Sequence, residues 1–161
     1  MSKTRCRWPH SRKGDELSPS SNVDTCRRLV AAFNEGGAEA VLEFFADDVE
    51  VYDPDMPGDG TYRGREQLAQ VLEQLLSGNE EAFVRDFEVL PVGDRVVALT
   101  HTYMRGEGGG PEIELRDAHT MTFRDGKVVY WRLYLDRDEA LSDAGLDPAM
   151  VGRGERPGGP G

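Results

Sequence analysis

The chain has no apolar run approaching the roughly 20 residues that a membrane-spanning helix needs. It also holds only two cysteines and three histidines in 161 residues. The first lack argues against a membrane protein. The second argues against a disulfide framework, because Cys6 sits near the start and Cys26 within a helical pattern, so a reduced, cytoplasmic protein is expected. Neither H-x-x-x-H nor C-x-x-C spacing occurs, and the glycine-rich stretch 106–110 lies between strand patterns rather than opening a helix. Neither a metal site nor a cofactor is therefore expected. Positive charge is scarce outside the first 13 residues, which carry Lys3, Arg5, Arg7, Arg12 and Lys13 with no apolar run after them, so no secretory signal is read there. Removing those five from 19 basic residues leaves 14 against 30 acidic ones, a balance of −16. Such a surface repels phosphate backbones and excludes nucleic acid as a partner.

What is present fits one domain large enough to bury a core. A basic leader over 1–20 and a Gly/Pro-rich tail over 147–161 read as disordered, leaving 21–146 as the folded domain. Val23, Cys26, Leu29, Val30 and Phe33 recur at helical spacing, with Ser21 or Asn22 as N-cap and Gly36-Gly37 as the stop. A second helix is expected from Ala38 to Phe45, then a strand through Val49, Val51 and Asp53 that ends at Pro54. Residues 54–64 read as a loop, and Gly64 to Ser77 as the clearest helix. Four strand runs follow, separated by Gly93-Asp94, the 106–110 stretch and Asp125-Gly126, and a short helix from Arg137 to Ala144 closes the domain. Helices followed by strands predict an α+β fold: a curved antiparallel sheet in the shape of a cone, covered by three N-terminal helices.

The run from Ile113 to Phe123 breaks an otherwise apolar alternation. Its odd positions are Ile113, Leu115, Asp117, His119, Met121 and Phe123, which share one strand face. A carboxylate and an imidazole among core groups cost several kcal/mol unless they are paired or line a cavity. They mark either a reactive site or a buried Asp–His bond that orients the sheet. Alternation also turns Asp53 inward with Val49 and Val51, although Asp-Pro is equally a common strand ending. His101 reads as inward with Val97, Leu99 and Tyr103, and Trp131 as inward with Val129 and Leu133.

Three segments, F-A-D-D-V-E-V-Y-D-P (45–54), Y-R-G-R-E-Q-L (62–68) and F-R-D-G-K-V-V-Y-W (123–131), resemble the nuclear transport factor 2-like superfamily. The resemblance spans about residues 22–146 and implies a cystatin-like α+β barrel. That superfamily includes ketosteroid isomerases, SnoaL-like polyketide cyclases and limonene epoxide hydrolases. V-Y-D-P resembles the isomerase stretch that carries the proton-shuttling Asp, which implies that role for Asp53. H-T-M-T-F (119–123) resembles the isomerase oxyanion segment and implies a donor at His119, while Leu29 stands where the partner Tyr is found. W-R-L-Y-L-D (131–136) is similar to an epoxide-hydrolase motif, but Leu133 replaces its catalytic acid. The SnoaL-like pair of inward His and Asp on neighbouring strands is resembled by His101 and Asp117.

These readings converge on acid–base chemistry. Proton abstraction beside a carbonyl needs a base of tuned pKa and a donor at the developing enolate oxygen. Desolvation in an apolar cone raises a carboxylate's pKa. The expected site thus comprises Asp53, Asp117, His119 and His101 as catalytic groups, with Trp131, Tyr103, Phe33, Met121 and Leu133 as walls for a small hydrophobic substrate. The expected activity is a cofactor-independent isomerase, cyclase or dehydratase acting on a hydrophobic carbonyl compound such as a polyketide intermediate. The alternative is a non-catalytic ligand-binding or association domain of the same fold. Aromatic residues on the outer face of the last strand (Val128, Tyr130, Arg132, Tyr134) add the expectation of a homodimer through the convex sheet face.

Overall fold

A computed structural model describes residues 19–149 and 151. Helix α1 (Pro19–Val41) leads through a 3-10 turn (Leu42–Phe44) into β1 (Phe45–Tyr52) and the short β2 (Thr61–Arg63). Helix α2 (Gly64–Leu76) precedes β3 (Asn79–Val92), β4 (Arg95–Gly106), β5 (Glu112–Arg124) and β6 (Lys127–Tyr134), and α3 (Arg137–Asp143) follows. The α+β architecture agrees with the sequence reading. The expected helix break is present as a kink, since Gly37 has φ 74 and ψ −159 inside α1, a conformation that suits glycine. Two boundaries differ, and the stretch 54–64, expected to be all loop, contains the strand β2 (Thr61–Arg63) paired with β1. α1 begins at Pro19, inside the expected leader, and Phe45 starts a strand rather than ending a helix. The rest of the expected leader, and the tail beyond 151, lie outside the described residues. Residues 147–149 and 151 are not free chain: Val151 N–H donates to Asp147 O at 3.3 Å and its side chain packs on the core.

The six strands run in the order β2-β1-β6-β5-β4-β3. All pairs are antiparallel except β1 with β6, which are parallel. β2, α2 and three further strands separate β1 from β6, so no hairpin dictates their direction. α1 and α2 cover the concave face, where Phe45, Val49, Val51, Leu68, Val71 and Val96 are almost wholly buried. Opposite them, α3 packs Ala140 and Leu141 against Val97, Leu99, Ala118 and Tyr134 on the convex face. Both faces of the middle of the sheet are therefore covered.

That second layer and a bulge in β6 each remove one residue from the expected open dimer face. Tyr134 is buried beneath α3 and donates its hydroxyl to Asp143 Oδ2 at 2.9 Å. Val128 turns into the main core, because the register pairs Thr122 with Tyr130 but Phe123 with Val128, leaving an extra residue on β6. Such a bulge sends neighbours on either side of it to opposite faces from those that strict alternation gives. Tyr130 and Arg132 remain half-buried on the outside, with the Arg132 guanidinium 5.1 Å above the Tyr52 ring and 4.4 Å above that of Tyr134.

Asn34 ties α1 to the rim of the sheet, accepting from Val84 N at 2.8 Å and donating to Val84 O at 3.0 Å. The loop after β1 is held by Asp53 N–H donating to Gly60 O at 2.9 Å. Gly60 has φ +79, and a Cβ there would lie 2.6 Å from Asp53 O. Gly60→Ala is expected to destabilise the fold by about 1–3 kcal/mol, read as a lower urea midpoint, and to disturb Asp53. An unchanged midpoint would show that the loop yields without cost.

Candidate functional site

The apolar faces of the sheet and helices do not meet fully. Between them lies a cavity of about 380 Å³ whose walls are mostly apolar side chains from α1, α2 and the concave strands. Phe33, Met121, Leu133 and Trp131 are among those walls, and Asp53, Asp117 and His119 all reach the same space. Trp131 is anchored against Phe45, with ring centroids 5.7 Å apart. Cys26 lines the cavity as well, but burial pushes its thiol up to about 12, so it is a wall rather than a nucleophile.

Two expected residues lie elsewhere. His101 and Tyr103 are not cavity residues but sit on the convex face. The registered pair Thr100–Asp117 explains why: residues directly opposite on antiparallel strands share a face, so Thr100 turns inward with Asp117 and His101 turns outward beside Arg116. His101 is buried there between Asp86 Oδ2 at 3.3 Å and Glu114 Oε1 at 2.6 Å. Tyr103 packs on Phe83 at 5.1 Å, with Arg85 stacked 5.2 Å above its ring. The inward face of β4 is instead Ala98, Thr100, Thr102 and Met104.

Asp117 is the most heavily bonded group in the cavity. Its Oδ1 accepts from the Thr100 hydroxyl at 2.7 Å and the Thr102 hydroxyl at 3.3 Å, while Oδ2 stands 3.4 Å from His119 Nε2. Burial pushes this carboxyl up, yet the hydrogen bond and charge of His119 and the Thr100 hydroxyl together outweigh that and hold it below the usual carboxylate range. Behind the strand pair, Arg137 donates to Thr100 O at 2.7 Å and Asp117 O at 3.3 Å. His119 in turn accepts the Trp131 indole N–H on Nδ1 at 3.1 Å.

Asp53 is the contrasting case. It is 5 % exposed, and its Oδ1 accepts only the Asp55 amide, at 3.0 Å. Burial pushes its carboxyl above the usual value; the Asp55 amide offsets part of this, the Asp55 charge adds to it, and His119 pulls against it. The two carboxylates are thus driven in opposite directions within one cavity. The raised pKa makes Asp53 the more basic of the two carboxylates, the property that a proton-abstracting group needs. Among the described residues no group of three or more His, Cys, Asp and Glu side chains is arranged to hold a metal ion, and no helix is long and apolar enough to cross a membrane.

Thr100, Thr102 and Arg137 are absent from the sequence-based site. The β4–β5 register carries the signal for the two threonines, since residues opposite the inward Asp117 and Leu115 must also face inward; Arg137, on α3, has no such signal.

Residues 26–131 match the family model described as a SnoaL-like domain. A solved NTF2-like protein from Burkholderia xenovorans LB400 is 28% identical, with a TM-score of 0.60 over 80% of this chain and 98% of that one. A candidate polyketide cyclase from Xanthomonas campestris pv. campestris is 25% identical, with a TM-score of 0.61 over 79% and 99%. At 23% identity, an NTF2-like protein of unknown function from Burkholderia pseudomallei K96243 shares the fold, with a TM-score of 0.63 over 78% and 97%. No curated protein matches the sequence.

Opposite pKa directions give opposite pH effects on stability. Asp117, depressed in the fold, stabilises above its unfolded value of about 3.8, and that contribution is lost as pH falls through its lower folded value. Asp53, raised in the fold, costs stability above its folded value, and the cost vanishes below about 3.8. Urea denaturation should therefore find Asp53→Asn more stable than wild type at neutral pH, and Asp117→Asn less stable, with both differences shrinking in acid. The same sign for both variants at neutral pH would contradict the assignment.

Proposed function

The chain belongs to the SnoaL-like family, and from that premise we propose that it is a cofactor-independent isomerase or cyclase acting on a hydrophobic carbonyl compound, such as a polyketide intermediate. The observation that carries this reading is the pairing of Asp53, buried with a raised pKa and one oxygen unclaimed by any described residue, with His119 in the same apolar cavity.

In the proposed reaction Asp53 removes a proton from the carbon beside the substrate carbonyl. That C–H bond breaks, its electron pair forms the enolate, and the proton rests on Asp53. The His119 Nε2–H, engaged by Asp117 only at 3.4 Å, donates to the enolate oxygen. Return of the proton from Asp53 to a different carbon completes an isomerisation. Alternatively, the enolate carbon attacks a second carbonyl, whose oxygen takes the proton, and this closes a ring. The apolar walls keep water from quenching the enolate, and Trp131 offers a flat surface to a cyclic substrate. The resemblance of the solved candidate polyketide cyclase supports the substrate class.

Asp53→Asn should bind ligand with unchanged affinity yet lose about 10²–10⁴-fold in turnover, the usual worth of a general acid–base group. The assay is deuterium exchange from solvent into a bound carbonyl compound, followed by mass spectrometry. A binding or association domain would give no exchange with wild-type protein for any tightly bound ligand, and that result would end the enzyme reading.

The half-buried Tyr52, Tyr130 and Arg132 on the convex face support the further proposal of a homodimer there. Light scattering at micromolar concentration should return twice the chain mass; the mass of one chain would contradict it.

A further inference from the structure

Trp131 does more in this cavity than supply a wall. Its indole N–H points at His119 Nδ1 from 3.1 Å, with the two ring centroids 5.9 Å apart and tilted by 32°. An indole nitrogen donates and cannot accept. The imidazole nitrogen facing it must therefore present a lone pair, which leaves Nε2 to carry the proton of the neutral ring. On the other side Asp117 Oδ2, an acceptor, stands 3.4 Å from Nε2 and favours the same placement. Asp117 is itself fixed by the Thr100 and Thr102 hydroxyls and, through its backbone, by Arg137.

We propose that Trp131 is a positioning residue that locks His119 as the Nε2–H tautomer and so makes it a donor without a free lone pair. This rests on reading the cavity as an acid–base site, and it divides the labour there. With Nδ1 occupied by the indole and Nε2 protonated, the neutral imidazole has no electron pair with which to take a proton from a substrate. Proton abstraction then falls to Asp53, whose second oxygen takes no hydrogen bond from any described residue. Phe at position 131 would preserve an aromatic wall but free Nδ1, allowing the ring proton to sit on either nitrogen.

The test is a long-range proton–nitrogen correlation spectrum of protein labelled with ¹⁵N at histidine, recorded without ligand at a pH where the ring is neutral. In wild type, Nδ1 of His119 should show the shift of an unprotonated nitrogen and Nε2 that of a protonated one. In Trp131→Phe the two signals should move towards each other as the tautomers mix. A wild-type proton on Nδ1, or signals that Trp131→Phe leaves unmoved, would overturn the proposal. If that variant fails to fold, replacing Trp131 with benzothienylalanine, in which sulfur takes the place of the N–H, is the isosteric substitute and must give the same shift. Turnover is read separately. A locked tautomer in a protein that exchanges no deuterium into any ligand would refute the catalytic reading and leave the tautomer assignment intact.

Discussion

Ionisable groups stand in an apolar cone at low cost when their polar atoms find partners, and the series from Trp131 through His119 to Asp117 provides them here. Each member supplies what the next lacks: an indole donor for Nδ1, an imidazole N–H for a carboxylate, and two threonine hydroxyls for the remaining carboxylate oxygen. A carboxylate with fewer partners at this depth costs stability and has its pKa raised, as Asp53 shows. Because these partners stabilise the charge of Asp117, the cavity contains one carboxyl group with a lowered pKa and a second, Asp53, with a raised one, which makes Asp53 the stronger base of the two.

The fold supplies the positions. Antiparallel register sets Thr100 opposite Asp117, while β6 brings Trp131 opposite Met121, one inward position from His119. Parallel pairing of β1 with β6 sets Val51 beside Trp131, so Asp53, two residues on, arrives at the same end of the cavity. α1 and α2 then close the concave face with apolar side chains and leave the polar cluster at one end. α3 acts from the other side, where Arg137 grips the backbone carbonyls of the two residues whose side chains meet inside. A helix on the convex face thereby steadies groups on the concave one.

Much of this is legible in the sequence because β5 alternates cleanly. Once Leu115, Met121 and Phe123 face the core, Asp117 and His119 must face it too, and the same logic turns Asp53 inward with Val49 and Val51. The inference fails where alternation is ambiguous. β4 reads V-V-A-L-T-H-T-Y-M, apolar on both sides, and the period alone does not say which face is concave. The answer lies in tertiary structure, because α3 claims Val97 and Leu99 and sends His101 and Tyr103 outside with them. The bulge in β6 has the same character, since nothing local in K-V-V-Y-W announces that Val128 and Tyr130 will face opposite ways. Gly37, by contrast, was readable as a break because glycine tolerates the required φ, although the helix resumes beyond it.

The central claim is that one cavity drives two carboxylates apart. It is tested most directly by a ¹³C titration of the carboxyl carbons of Asp53 and Asp117 in the folded protein. The account predicts that Asp53 titrates above, and Asp117 below, the ordinary value of about 3.8. Coincident midpoints, or the reverse order, would contradict it.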